Sequence, residues 1–124
     1  MNKKAFNTLD IVPLSKAVVA NGFVFLSGDA SFDWTTGEFV HGDIRVQTRK
    51  TLENLRDTLE ALGSSLDKVV KTTVFMTNVQ EDFAAMNEVY SEFFPVDPPA
   101  RSTFGVAGLA RKELIVEIEL IALA

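Results

Sequence analysis

The chain has 124 residues, enough for one hydrophobic core and short of the length at which chains divide into several. Hydrophobic residues make up 47% and charged residues 23%, the balance of an ordinary soluble globular protein. A net charge of −5 with scattered lysines and arginines argues against a nucleic-acid-backbone binder, and the lack of cysteine excludes disulfides, thiolate chemistry and cysteine metal sites.

We therefore read residues 1–124 as a single domain. The opening "MNKKAFNTLDIVPLSKAVV" holds lysines but no unbroken apolar stretch of the signal-peptide kind. No apolar run reaches the ~20 residues that span a bilayer, and the C-terminal "LIVEIELIALA" carries glutamates. The expected location is the cytoplasm, with no membrane or nucleic-acid partner.

In chain order, the residues around Leu14 to Val19 read as a first strand. Asn21-Gly22 follows as a hairpin turn, because both turn positions need positive φ, and "FVFLSG" from Phe23 to Gly28 is the returning strand. "FDWTTGEFV" holds a second turn with Gly37 as its left-handed residue. Asp43 is placed to cap a helix whose apolar stripe runs through Ile44, Thr48, Leu52, Leu55, Leu59 and Leu62, with Gly63 as the stop. The opposite face, with Arg45, Arg49, Glu53, Arg56 and Glu60, is a solvated mixed-charge surface. "KVVKTTVFMTN", Lys68 to Asn78, is rich in β-branched residues and reads as a strand. A second helix spans Glu81 to Phe94, with Phe83, Met86, Tyr90 and Phe93 on one face and Asn87 beside them. "PVDPPA" cannot continue it. Two strands close the chain, Arg101 to Val106 and Leu114 to Ala122. The order ββ-α-β-α-ββ predicts an α+β fold of two layers: a mixed β-sheet backed by two helices, with each βαβ crossover right-handed.

Few residues stand out chemically. Arg101 sits where a stiff "PPA" loop enters a strand. Its planar fork of donors suits a bidentate carboxylate, although spacing alone does not separate that role from a solvated arginine. In "IVEIELI" the side chains alternate, so Glu117 and Glu119 share one face and Val116, Ile118 and Leu120 the other. The apolar face must bury against the helices. The glutamates then look to solvent, to a cleft or to another subunit, where one could activate a water. Asn87 lies among core-facing positions and needs partners for its amide. Ser27 and Gly28, in "LSGD", end a strand where backbone N–H groups can meet an oxygen. His41 is the only histidine, so no histidine pair exists for a metal or a proton relay. There is no phosphate-binding glycine loop and no nucleophile elbow, so nothing points to a cofactor.

Taken together, "GDIRVQTRKTLENL", "VVKTTVFMTN", "FAAMNEVYSEFF", "PPARST" and "VEIELIA" occur in this order and closely resemble the Rid family of reactive-intermediate (enamine/imine) deaminases, also called the YjgF/YER057c/UK114 family. The resemblance runs from about Pro13 to the C-terminus. It implies a fold similar to the small trimeric chorismate mutases, a homotrimer, and active sites in clefts between subunits, with Phe93 and Phe94 available to an interface. By matching positions, Arg101 would hold a substrate carboxylate and Glu117 would position the hydrolytic water. Ser27 and Asn87 fall on pocket positions, and the backbone N–H groups of Gly28 and Thr103 would assist at the carboxylate. The implied reaction is hydrolysis of a 2-imino or 2-enamino acid to a 2-keto acid and ammonia, with neither metal nor cofactor.

The chain also departs from the family pattern. Leu14 replaces a tyrosine, Thr103 a cysteine and Gly105 a glutamate, and "SGQ" becomes "SGD" with Asp29. The arginine and glutamate survive while the pocket wall is altered, which suggests a larger or more apolar substrate. The other readings are a non-catalytic trimer that binds a small carboxylate, and a ribonuclease, which the negative charge and single histidine disfavour.

Overall fold

A computed structural model describes residues 2–124. Eight strands and two helices follow one another as β1 (Lys4–Thr8), β2 (Ser15–Ala20), β3 (Phe23–Asp29), β4 (Phe32–Asp33), β5 (Glu38–Phe39), α1 (Ile44–Ala61), β6 (Val69–Met76), α2 (Val79–Phe93), β7 (Ala100–Gly105) and β8 (Val116–Leu123). Six strands form one sheet in the order β1-β2-β3-β8-β6-β7, and β4 with β5 makes a separate small ribbon. β6 and β7 are parallel and the other neighbours antiparallel, so the sheet is mixed and α2 is the crossover between parallel neighbours. The two-layer α+β reading is correct.

The turns behave as their residues require. Asn21 (φ 53°) and Gly22 (φ 82°) take the left-handed conformation that folds β2 back on β3. Asp43 caps α1 by accepting from the Val46 N–H at 3.0 Å, and Gly63 (φ 80°) ends it. α1 buries Leu52, Leu55 and Leu59 completely. It also buries Thr51 and Thr58, whose hydroxyls stay satisfied by donating to the Gln47 and Asn54 carbonyls one turn back. Met86 of α2 and Val74, Met76, Val116 and Ile118 of the sheet complete the centre.

The sequence reading missed β1. Its alternation is weak, and only Phe6 packs against the core cluster; the strand forms because β2 offers an edge to pair with. That reading placed the turn at Gly37, which has the expected positive φ (80°), but not the short strands β4 and β5 on either side of it. Of the two places open to Phe94, core or interface, it takes the core: it is 7% exposed and packs on Tyr90 with ring centroids 4.8 Å apart. Phe83, placed with the core face of α2, is instead 40% exposed.

One face of the sheet carries both helices. The other is uncovered by the chain's own elements and mixes large apolar side chains with Glu117, Glu119, Thr73 and Lys71. Register places Val18, Phe25 and Ile121 in one row and Glu117, Phe75 and Phe104 in another. Phe25 and Phe104 are about half exposed there, 43% and 53%.

Candidate active site

The residues singled out from sequence fall into two groups, and the sheet lies between them. Arg101 and Thr103 of β7 pair with Thr72 and Val74 of β6, which are buried beneath the helices. Arg101 therefore points to the helix side. Its guanidinium carbon lies 4.7 Å from the Tyr90 ring centroid and 5.6 Å from that of Phe83. Phe83, Asn87 and Tyr90 are one and two turns apart on α2, so one helix face supplies this wall. Tyr90 is fixed in turn by a 2.7 Å hydrogen bond between its hydroxyl and Thr72. Burial raises the Tyr90 pKa, the Thr72 bond and the Arg101 charge oppose that shift, and the phenol stays neutral. None of the ion pairs among the described residues includes Arg101. A half-buried guanidinium, stacked on aromatics and free of carboxylates, is a ready anion receptor. Asn87 adds a buried side-chain oxygen with no hydrogen-bond partner, an acceptor that waits for an N–H or a water.

The second group lies across β2, β3 and β8. Glu117 pairs with Phe75 and so faces the open side. β3 carries a bulge between Leu26 and Asp29, and Ser27 and Gly28 are the bulged residues. The Glu117 carboxylate rests against Gly28: a Cβ placed there would lie 2.9 Å from Glu117 Cδ. Glycine is needed for this close approach. Burial raises the pKa of Glu117, and the charges of Asp29 and Glu119 raise it further. The Ser27 hydroxyl donates to the Ser15 carbonyl at 2.6 Å, so it can only accept from a ligand. Leu14 precedes Ser15 at the end of a loop closed by the Leu9 N–H to Leu14 carbonyl bond, and it is 42% exposed.

Arg101 and Glu117 thus stand on opposite faces, separated by β6 and roughly 10 Å of sheet. The sequence reading paired them as chemical partners. A single chain does not bring them together, because β7 presents its odd positions to the helices while β8 presents its odd positions away from them. The sequence reading also undervalued Tyr90 and Phe83, which it assigned to the core, and Asp29, which it noted only as a departure. The i, i+4, i+7 spacing of Phe83, Asn87 and Tyr90 was the available signal. His41 is an exposed loop residue and joins neither group.

A six-stranded mixed sheet with two helices on one face places the chain among small two-layer α+β proteins. The family model described as Endoribonuclease L-PSP matches residues 5–124, and this chain belongs to that family, the Rid (YjgF/YER057c/UK114) proteins. A RutC family protein of Pyrococcus horikoshii is 47% identical over 112 residues, covering 90% of this chain and 87% of that one. Reactive Intermediate Deaminase A of Arabidopsis thaliana, a chloroplastic protein, is 43% identical over 89% of this chain and 58% of its own length. Among solved structures, Escherichia coli TdcF with bound serine superposes with a TM-score of 0.84 at 38% identity, covering 93% of this chain and 91% of that one.

Proposed function

We propose that the protein is a hydrolytic deaminase of 2-imino and 2-enamino acids, working as a homotrimer whose sites lie between subunits. The observation that carries this reading is the separation of Arg101 and Glu117 onto opposite faces of one sheet, together with exposed aromatic side chains on a face that nothing in the chain covers. A second copy laid on the open face would bury Phe25 and Phe104 and bring its own Arg101 edge toward Glu117. A head-to-tail contact whose rotation closes after three copies gives the cyclic trimer. The 43%-identical relative named as a reactive intermediate deaminase supports the chemistry.

In this mechanism Arg101 holds the substrate carboxylate bidentately against Tyr90 and Phe83, assisted by the Thr103 and Gly28 N–H groups. The Asn87 oxygen, which lacks a partner, accepts from the substrate's C=N nitrogen. Ser27 accepts from a second N–H, and Leu14 walls the substrate side chain. The Glu117 carboxylate takes a proton from water as the oxygen bonds to the iminium carbon, giving a carbinolamine. The protonated Glu117 returns that proton to nitrogen. The C–N bond then breaks, the hydroxyl proton leaves with ammonia as ammonium, and the 2-keto acid remains. Imines already hydrolyse in water, so the protein supplies position and one proton carrier, with no metal or cofactor. The proposed setting is the cytoplasm; no helix among the described residues is long and apolar enough to cross a membrane.

A second reading, a trimer that binds a small carboxylate without turnover, is favoured by the serine bound in TdcF and by Leu14 in place of the family tyrosine. The test generates 2-imino acids in place with an amino-acid oxidase and follows their decay with wild type, Arg101→Ala and Glu117→Ala. Acceleration that both substitutions remove supports the deaminase. Tight carboxylate binding with decay no faster than buffer assigns the protein to the binder.

A further inference from the structure

Arg101 comes from a strand that the chain holds on one side only. β7 ends the sheet, and β6 is its sole neighbour within the chain. The arginine side chain is long and rich in rotamers, and no ion pair among the described residues holds it. What holds it is a stack built from β6 and α2. Thr72 is the register partner of Arg101, lies on the same side of the sheet and is completely buried. Its hydroxyl shares a 2.7 Å hydrogen bond with the Tyr90 hydroxyl. The Tyr90 ring lies under the guanidinium, 4.7 Å from its carbon, and also packs on Phe94 at 4.8 Å between centroids. On the opposite side of the sheet Lys71 Nζ donates to the Ser102 hydroxyl at 2.8 Å. Side chains as well as backbone therefore pin the register that sets Thr72 beside Arg101.

We propose that Thr72 and Tyr90 are positioning residues for Arg101: the hydrogen bond between them fixes the ring, and the ring fixes the guanidinium where the substrate carboxylate arrives. This deepens the deaminase reading and rests on it. The physical reason is pre-organisation. A bidentate grip needs two N–H groups aimed at once, and a free arginine would surrender its rotamer freedom at each binding event. A cation seated over an aromatic ring has surrendered it beforehand.

The ring restrains the cation only if it is itself still. The Thr72 bond anchors Tyr90 at its hydroxyl, the end farthest from the α2 backbone. Phe83 is the weaker restraint, because its ring is 5.6 Å from the guanidinium carbon and 40% exposed. A phenylalanine at position 90 would keep the face and lose the anchor, and a leucine would lose both.

The test measures binding apart from hydrolysis. The probes are pyruvate and the branched 4-methyl-2-oxopentanoate, the keto-acid products of a small and a large 2-imino acid. Calorimetry compares the full chain with Thr72→Val, Tyr90→Phe, their double variant and Tyr90→Leu, all well below their unfolding temperatures. Thr72→Val is nearly isosteric and Tyr90→Phe keeps the ring, so either one serves should the other fail to fold. Each should weaken Kd about three- to tenfold, the worth of one hydrogen bond. The double variant should be no weaker than the weaker single, since both changes remove the same bond. Tyr90→Leu should lose more and approach Arg101→Ala, and Thr72→Ser, which keeps the hydroxyl, should bind more tightly than Thr72→Val. In imine hydrolysis the losses should fall on KM rather than kcat. Folded variants that bind as tightly as wild type overturn the proposal. So do losses that add in the double variant, losses confined to kcat, and a wild type that binds neither acid. The expected losses of binding in a protein that hydrolyses no imine keep the proposal and overturn the deaminase reading, so the two failures are distinguishable.

Discussion

The two halves of the site are built on opposite plans. The Arg101 half is a charge without a counter-ion, held by aromatic rings: Tyr90 at 4.7 Å, locked through Thr72, and Phe83 at 5.6 Å. The Glu117 half is a carboxylate set over a glycine bulge, where burial first, then the charges of Asp29 and Glu119, raise its proton affinity. One half is made to receive an anion and the other to hold a proton. Each lacks what the other has, and the sheet keeps them apart in any single chain. The difference teaches that the fold separates opposite charges that would otherwise neutralise each other as an internal ion pair. In the proposed assembly a second copy would bring them to one substrate.

Substitutions at the charges should show the largest effects and should differ in kind. Glu117→Gln should lower kcat by about 10²–10⁴, the usual worth of a positioned general base, while a saturating carboxylate still binds. Arg101→Ala should abolish measurable carboxylate binding in calorimetry and raise KM, because it removes the cation set against Tyr90 and Phe83. Equal losses of binding in both variants would erase the distinction between the halves.

Gly28→Ala should come next. The added Cβ has no room beside the Glu117 carboxylate, so activity should fall at least tenfold while the circular dichroism spectrum is kept. Retained activity would remove the bulge from the account. Glu117 also sets a pH dependence. Its raised pKa means the base form is lost on the acid side at higher pH than for a free glutamate, so the rate should rise with pH through that midpoint.

The smaller effects are on stability. Tyr90→Phe removes one buried hydrogen bond and leaves Thr72 without its partner, a loss of about 1–2 kcal/mol by denaturant unfolding. Asp29 behaves in the opposite sense. Burial raises its pKa above 3.8, so the folded state binds its proton more tightly than the unfolded chain does. Its contribution is most favourable in acid and is lost as pH rises through the folded value. Asp29→Asn should therefore raise Tm at pH 7 and change it less at pH 4.

Much of this was legible in the sequence. Period-two and helical patterns gave both helices and the central strands, and Asn21-Gly22, Asp43 and Gly63 marked boundaries by backbone needs that are local. β1 was not legible, because a strand with one inward residue is specified by the edge it joins rather than by its own pattern. The chemical residues were visible as types, and the alternation of "VEIE" correctly put Glu117 away from the core. Their mutual placement was not visible. It depends on which face of β7 meets α2, a parity set by the register with β6, and no local pattern around Arg101 records it. Asp29 was hidden for a similar reason, since its burial follows from Asn54 reaching across from α1.

The central claim is that each site draws its arginine and its glutamate from different copies. Arg101→Ala and Glu117→Ala proteins, each inactive alone, should be unfolded together, refolded as an equal mixture and assayed for imine hydrolysis. Random assembly puts both intact residues in roughly a quarter of the sites, so about a quarter of wild-type activity should return. A mixture as inactive as its components, in assemblies confirmed to contain both chains, would contradict the shared site.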